Sequence, residues 1–367
     1  MNADPFGLSA MSFLRCIDLY RTICLFVKQI VLAGKTCMPT FVMDELSKSY
    51  MQVEYAPVEI SAYEEGNSGI PFVWTFDSER EGPHAMVCGI MHGNEIAGAA
   101  ILDRLMRSGL RPTRGKLTFC FGNPEAYERF DTDEPYQHRY VDTDINRVWG
   151  AELHDEKNQD REVLRARRLR PLVESVDYLL DIHTMQGRGE PVALVQGKRA
   201  ALSLISKITK IPFVLTGKMH QADRLRLRDF SQFGDPDSPA VAIQVEAGQH
   251  WEAGAIDEGE AIALQFLECV GILDPNCTTS EQSQKQLEIV EIVLPEGGQF
   301  EYADDFRNGT FFPKKGTLLG YAGPTRQEVR SPVDNCYFIM PVHFRLNGGS
   351  CGRFAREISN APSDLIR

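Results

Sequence analysis

Between residues 71 and 246, short apolar runs alternate with segments of helical periodicity, and this alternation constrains the fold more than any other feature of the chain. The apolar runs, each long enough for one strand, are 71–76, 84–90, 116–122, 176–182, 191–196 and 240–246. The segments with apolar residues at helical spacing are 95–109, 161–174, 198–208 and 256–271. Apolar strands that alternate with helices are typical of a mostly parallel sheet covered on both faces. The sequence therefore predicts an α/β fold, in which a mostly parallel or mixed sheet is flanked by helices.

The composition changes on either side of this region, and the changes predict how the chain divides. Residues 275–288 are polar and lack periodicity, as expected of an exposed linker. The short apolar pieces that follow, separated by turn residues, predict a small all-β domain over 289–367. Residues 1–50 carry no motif and are predicted to be an unassigned, dispensable N-terminal extension. The large α/β domain is predicted over 51–274.

Charge and cysteine content exclude several classes of protein. The net charge is -12 and no basic stripe is present, so no nucleic-acid partner is expected. The nine cysteines are scattered without a CxxC pair, which argues against a disulfide framework and favours the cytoplasm. Charged residues interrupt the apolar segment 11–34, so neither a membrane span nor a signal peptide is predicted.

The strongest local signal is GIMHGNEIAG at 89–98, which lies directly between a predicted strand and a predicted helix. Such a junction lies at the carboxyl edge of a parallel sheet, where α/β proteins bind their ligands. His92 and Glu95 are three residues apart there, and His183 ends another predicted strand. Three such ligands with one open position are typical of catalytic zinc, so the pattern predicts one zinc ion per chain. The competing interpretation is a surface histidine and a glutamate favoured by the first helical turn.

Two further carboxylates follow buried runs. Glu246 comes at the end of VAIQV, where a carboxylate is costly unless it is paired or functional, and it is predicted to be a general base and acid. Asp181 lies two residues before His183, on the same side of the strand, where it could orient a metal ligand from behind. A solvated carboxylate at a strand end is the alternative for each, and for Asp181 the two interpretations stand equal. The other histidines, His250 among them, are predicted to be ordinary surface or core residues.

Residues 122–150 form a long predicted loop, and loops of this length in a compact domain are commonly functional. Arg147, beside Asn146, could hold a substrate carboxylate through a bidentate fork, and Arg139 could polarise a scissile carbonyl. The alternative for loop arginines of this kind is an ordinary surface ion pair.

Together these residues resemble the succinylglutamate desuccinylase and aspartoacylase family, a branch of the zinc carboxypeptidase-like hydrolases. The resemblance rests on short motifs in the family's order: HGNE at 92–95, NP at 123–124, RY at 139–140, DINR at 144–147, DIHT at 181–184 and VEAG at 245–248. It implies that His92, Glu95 and His183 bind zinc. It also implies that Asn146 and Arg147 grip the substrate carboxylate, that Arg139 assists the carbonyl, and that Glu246 carries protons. In this family, residues of the C-terminal domain contribute to selectivity, and Tyr302 and Tyr321 are candidates here by residue type.

The expected function is zinc-dependent hydrolysis of the amide bond of a small N-acylated amino acid, a linear amide other than a peptide bond. In the expected mechanism zinc lowers the pKa of a bound water molecule toward ~7, and Glu246 takes the proton and later returns it to the leaving amine. A zinc carboxypeptidase acting on small peptides is one alternative, and a non-catalytic zinc-binding protein is another. No nucleic acid or membrane partner is expected, and the pattern leaves the acyl group, the amino acid and assembly as a homo-oligomer open.

Overall fold

The computed structural model describes residues 49–216, 224–275, 284–295, 299–344 and 349–358. These residues all fall within one compact unit, Leu46–Arg367. Most of the predicted N-terminal extension and residues 276–283 of the predicted linker lie outside the described residues. Among the helices that are described, none combines the length and the apolar character needed to cross a membrane.

The described strands and helices alternate through the first two thirds of the chain, and strands alone follow. The strands are β1 (Val73–Asp77), β2 (His84–Gly89), β3 (Lys116–Phe121), β4 (Tyr178–Met185), β5 (Val192–Val195), β6 (Phe213–Thr216), β7 (Val241–Gln249), β8 (Lys285–Val293), β9 (Phe300–Tyr302), β10 (Thr310–Phe312), β11 (Leu318–Ala322), β12 (Gln327–Arg330), β13 (Cys336–Ile339) and β14 (Gly352–Glu357). The α-helices are α1 (Ala97–Arg107), α2 (Pro124–Tyr127), α3 (Ala151–His154), α4 (Arg161–Val173), α5 (Arg199–Ile205) and α6 (Gly254–Cys269). Short 3-10 helices occur at Ser61–Tyr63, Ile145–Arg147, Leu227–Asp229 and Ser231–Phe233.

One 11-stranded sheet organises the molecule, with the strand order β1-β3-β2-β4-β7-β5-β6-β8-β14-β13-β10. The pairs β3/β2, β2/β4, β4/β7, β5/β6 and β6/β8 are parallel. The pairs β1/β3, β5/β7, β8/β14, β14/β13 and β13/β10 are antiparallel. Strands β12, β11 and β9 form a separate 3-stranded sheet. This mixed sheet flanked by helices confirms the predicted α/β class, and the C-terminal region is all β as expected.

The central strands bury both of their faces, which explains why their sequences are almost uninterrupted apolar runs. In β2, Ala85 and Val87 pack into the core cluster that includes residues of α1 and α6. The alternate residues Met86 and Cys88 pack into a second cluster, which includes residues of α4. Successive side chains of a strand point to opposite faces, so helices must cover the sheet on both sides. Full burial of an apolar side chain such as valine or methionine stabilises the fold by about 1.5–3 kcal/mol.

The boundary of the predicted N-terminal extension falls within the packed fold. Tyr50 is 1% exposed, and its ring stacks on His343 with centroids 3.8 Å apart. Its hydroxyl donates to Asp305, and its backbone oxygen accepts a 3.0 Å hydrogen bond from Gln249. The main sheet also runs on without a break from β6 into β8, which begins at Lys285 inside the predicted linker. The division of the chain into domains therefore stays a prediction, and Tyr50 packs with the part of the chain that follows it.

Candidate active site

The loop between β2 and α1 brings two predicted metal ligands to the carboxyl edge of the sheet. Ile90 begins it with a φ of 52°, a left-handed conformation that is rare for a β-branched residue and is found mostly at functional sites. Gly93 donates through its backbone N–H to the Arg139 carbonyl at 2.9 Å. A Cβ atom on Gly93 would lie 2.3 Å from the backbone carbon of Ala126, so only glycine fits this approach. The loop is thus fixed against the following segment before any ligand is considered.

His92, Glu95 and His183 form a buried cluster whose ligand atoms lie within 4.8 Å of one another. The Nδ1 atom of His92 is 2.7 Å from one oxygen of Glu95, and the Nδ1 atom of His183 is 2.9 Å from the other. Burial raises the pKa of Glu95, but the imidazoles of His92 and His183 outweigh it and hold the pKa well below its usual range. Two imidazole nitrogens that converge on an ionised carboxylate are a donor set that a divalent metal ion can occupy.

The outer nitrogen of each imidazole faces a second carboxylate. His183 Nε2 is 2.9 Å from Asp181, and His92 Nε2 is 3.0 Å from Asp144 and 2.9 Å from the Arg139 guanidinium. Histidines that bind metals usually donate their other ring N–H to a carboxylate in this way, which fixes the tautomer and the ring orientation. The residues present therefore fit a metal ion. The role of Asp144 was not predicted from the sequence, although this residue begins the DINR motif. No local pattern connects it to His92, which is 52 residues away.

Glu246 lies beside His183 because β4 and β7 are parallel neighbours, with the two residues paired in register. Its carboxylate accepts a 3.0 Å hydrogen bond from the Gln244 side chain. Burial raises the pKa of Glu246 to about 7, against the opposing effect of His183. A carboxylate with a pKa near neutrality can both accept and release a proton at physiological pH.

The three predicted loop residues lie around the same cluster. Arg139 donates to Glu95 at 3.0 Å, and Arg147 donates to the Asn146 carbonyl at 2.7 Å. Asn146 is buried, and its side-chain oxygen accepts from the backbone N–H of Leu227 at 3.0 Å. Its amide nitrogen is 3.3 Å from His183 Nε2. These contacts hold the Asn146 side chain beside the cluster.

A family model described as the succinylglutamate desuccinylase/aspartoacylase catalytic domain matches residues 81–269, which is more than half of the chain. The chain is a member of this family. The predicted resemblance is thereby confirmed, and the match contains all the motifs on which it rested.

Individual relatives align with this chain over shorter segments than the family model does. Succinylglutamate desuccinylase of Pseudomonas fluorescens is 37% identical over 95 residues, which are 25% of this chain and 25% of that protein. The N-acyl-aromatic-L-amino acid amidohydrolase (carboxylate-forming) of Xenopus laevis is 30% identical over 129 residues, 32% of this chain and 40% of that protein. The aligned part of the chain thus spans a quarter to two fifths of the length of these two relatives.

Similarity to solved structures extends over most of this chain. The crystal structure of succinylglutamate desuccinylase from Vibrio cholerae aligns with a TM-score of 0.60 and 16% identity. The alignment covers 89% of this chain and 98% of that one. At this identity the likeness establishes the fold, including the C-terminal β region.

The cluster of His92, Glu95 and His183 lines a cavity of about 230 Å³, to which the C-terminal β region also contributes. Arg353 on β14 and Met340, just after β13, both line the cavity. The tyrosines singled out by residue type do not contact it among the described residues. Tyr302 instead donates to the Cys351 carbonyl and accepts from the backbone N–H of Val342, and Tyr321 lies under the guanidinium of Arg326.

Two more cavity residues were not expected from the sequence. His250 was assigned to the surface or core, yet it lines the cavity with its Nδ1 atom 2.8 Å from the Thr184 hydroxyl. Arg226 also lines the cavity, and burial together with the charge of Arg228 lowers its pKa to about 9. Neither residue belongs to a local motif, because each is brought to the site by the packing of segments distant in sequence.

Proposed function

We propose that the protein hydrolyses the amide bond of a small N-acylated amino acid, with one zinc ion held by His92, Glu95 and His183. The observation that carries the proposal is the paired arrangement of the two imidazoles. Each presents Nδ1 to the shared carboxylate of Glu95, at 2.7 or 2.9 Å. His183 Nε2 is backed by Asp181, and His92 Nε2 lies between Asp144 and the Arg139 guanidinium. Zinc is favoured over harder cations because two of the three ligand atoms are imidazole nitrogens. When bound, zinc supplies Lewis acidity, which polarises the acyl carbonyl and acidifies the attacking water.

Glu246 is proposed to move the proton. Its pKa of about 7, raised by burial, allows it to take a proton from water in one step. The same group then delivers that proton to the nitrogen of the scissile amide, so that the amine can leave. The hydrogen bond from Gln244 holds one carboxylate oxygen and orients the other.

The two arginines have different roles in this proposal: Arg139 assists the chemical step, and Arg147 recognises the substrate. Arg139 already donates to Glu95 within the cluster, so its guanidinium is close to where negative charge develops on the acyl oxygen. Arg147 lines the same cavity and is proposed to bind the α-carboxylate of the substrate, together with Asn146. The relatives named for desuccinylation and for hydrolysis of N-acyl-aromatic amino acids support the same substrate class.

A substrate panel tests the proposal against its two rivals. The zinc-loaded protein is assayed for amine release from N-acetyl and N-succinyl amino acids and from dipeptides. Faster turnover of dipeptides would identify a carboxypeptidase. Stoichiometric zinc without turnover of any of these compounds would leave a zinc-binding protein that is not an enzyme.

A further inference from the structure

A buried carboxylate outside the cavity joins α4 to the loop that precedes Asp144. Glu162 lies in the first turn of α4 and is 1% exposed. It is not among the described residues that line the cavity. A carboxylate is costly to bury unless hydrogen bonds or a cation compensate its charge. The hydrogen-bond donors around Glu162 therefore indicate its role.

Three of these donors are consecutive backbone N–H groups. Glu162 Oε1 accepts from Val141 at 2.6 Å, and Oε2 accepts from Asp142 at 3.0 Å and from Thr143 at 3.2 Å. Residues 141–143 belong to no helix or strand, so no neighbouring turn or strand pairs with their N–H groups. Hydrogen bonds to an ionised acceptor are stronger than those between neutral groups. The carboxylate thus fixes a segment that regular structure does not hold.

The contact between the loop and α4 is reciprocal. The backbone N–H of Arg161, the first residue of α4, donates to the Asp142 side chain at 3.0 Å. The first N–H groups of a helix have no partner within the helix, and a side-chain oxygen that accepts from one of them stabilises the helix start. The loop therefore caps the helix through Asp142, while the helix holds the loop through Glu162.

Glu162 also contacts the segment that follows β3. Its Oε1 atom accepts from the Asn123 side chain at 3.1 Å. The backbone N–H of Asn123 in turn donates to the Ile90 carbonyl at 2.9 Å, at the start of the loop that carries His92. One carboxylate therefore connects the segment before Asp144 to the loop that supplies a metal ligand.

The segment held by Glu162 leads directly into Asp144, which faces several groups of the site. An Asp144 oxygen lies 3.0 Å from His92 Nε2, and its carboxylate is 3.8 Å from the Arg139 guanidinium and 4.0 Å from that of Arg147. The Asp144 carbonyl accepts from the backbone N–H of Arg147 at 2.9 Å. Displacement of the preceding segment would therefore move Asp144 together with the arginine that follows it.

Resting on the proposed function, we propose that Glu162 is a positioning residue, which holds Asp144 and thereby Arg147 in the geometry that recognises the substrate carboxylate. Its effect passes through the backbone of residues 141–143. Loss of the carboxylate should loosen this segment and weaken the preference for substrates with a free α-carboxylate. A side chain that only stabilised the fold would change kcat/KM equally for substrates with and without that carboxylate.

Amide hydrogen exchange in Glu162→Gln tests the contact without a substrate. The glutamine keeps the shape of the side chain but replaces one acceptor oxygen with an NH₂ group. With zinc in excess, we expect exchange in residues 141–147 to become about tenfold faster or more, because local opening becomes easier. Glu174→Gln is the matched control, since Glu174 is an exposed residue just beyond the other end of α4 and pairs with Arg170. Equal exchange in the two variants would overturn the proposal.

Kinetics of the same two variants test the consequence for recognition. The assay compares kcat/KM for an N-acyl amino acid and for its α-carboxamide, which lacks the charge that Arg147 is proposed to bind. We expect the acid-to-amide ratio to fall about tenfold in Glu162→Gln and to stay unchanged in Glu174→Gln. An equal fall for both substrates would overturn the proposal. Turnover of neither substrate by the zinc-loaded wild-type protein would overturn the proposed function, whereas the exchange measurement decides independently whether Glu162 holds the loop.

Glu162→Asp extends the test to the case in which the glutamine variant does not fold. Aspartate keeps the charge, but its side chain is shorter and cannot reach all the donors that Glu162 meets. We expect exchange rates and acid-to-amide ratios between those of the wild-type protein and the losses given above for Glu162→Gln. Wild-type values in Glu162→Asp, beside an unfolded Glu162→Gln, would overturn the proposal, because Glu162 would then serve folding alone.

Discussion

At the scale of single residues, His183 offers the most direct test of the metal site, because it lies 2.9 Å from both Glu95 and Asp181. We expect His183→Gln to abolish stoichiometric zinc binding, since an amide is a poor substitute for an imidazole ligand. The glutamine is chosen because an alanine would remove the hydrogen-bond partner of the buried Asp181 carboxylate, at a cost of about 3–5 kcal/mol.

Elemental analysis of the purified protein measures the result, and circular dichroism confirms that the variant is folded. His154→Ala is the matched control, because His154 is exposed and lies outside the cluster. A full complement of zinc in His183→Gln would remove His183 from the ligand set.

Glu246→Gln tests the proton carrier. The amide preserves the shape of the side chain but cannot accept a proton, so we expect kcat to fall by about 10² to 10⁴ while zinc content is unchanged. Steady-state kinetics of the metal-replete variant measure the effect. If kcat is retained, the proton must be carried by another group, and Glu246 serves only the packing of β7.

Arg147→Ala separates recognition from chemistry. Loss of a charge-assisted, bidentate contact worth about 1.5–3 kcal/mol should raise KM by about 10- to 100-fold with a much smaller change in kcat. Arg147→Lys should recover only part of the loss, because lysine keeps the charge but not the planar fork. A fall in kcat at unchanged KM would instead place Arg147 in the chemical step.

At the scale of elements, the start of α1 must lie close to the end of β2 for Glu95 to reach both histidines. A Cβ atom on Gly98 would lie 2.7 Å from the backbone nitrogen of Ile90, so Gly98→Ala must push the helix away from the strand. We expect a loss of about 1–3 kcal/mol in the free energy of unfolding, together with weaker zinc binding.

Denaturant unfolding and zinc titration measure the two effects. Gly254→Ala is the control, since the added Cβ atom meets nothing within 4 Å at the start of α6. Equal stability and zinc affinity in the two variants would show that the contact between α1 and β2 does not position Glu95.

At the scale of the whole molecule, Tyr50 packs against the C-terminal β region. It stacks on His343, and the guanidinium carbon of Arg188 lies 4.7 Å from the centre of its ring. We expect a chain that begins at Leu46 to keep full stability and activity, whereas one that begins at Met51 should lose about 3 kcal/mol, comparable to loss of a buried aromatic side chain.

Thermal unfolding measures the melting temperatures of the two shortened chains and of the full chain. Equal melting temperatures for the two shortened chains would show that Tyr50 adds nothing to the fold. A loss of activity in both would assign a role to the residues before Leu46.

The sequence by itself determined the fold class, the central strands of the main sheet and the grouping of His92, Glu95 and His183. The central strands and the main helices follow from local periodicity, because strands buried on both faces must be apolar throughout and helices must carry an apolar stripe. The cluster follows because strand ends of one parallel sheet converge at one edge, which brings His92, Glu95 and His183 together. The short strands β6 and β10 were not predicted, because four and three residues are too few to show the alternation of a strand.

Only the tertiary structure decided the rest of the site. Asp144 reaches His92 from a loop 52 residues away. His250 and Arg353 line the cavity from a strand end and from the C-terminal β region, which are also distant in sequence from the metal-ligand motif. The position of the linker is a similar case, because pairing between β6 and β8 draws residues that look like an exposed connector into the main sheet. Local sequence specifies the elements through periodicity, whereas contacts between distant segments depend on packing that no short pattern encodes.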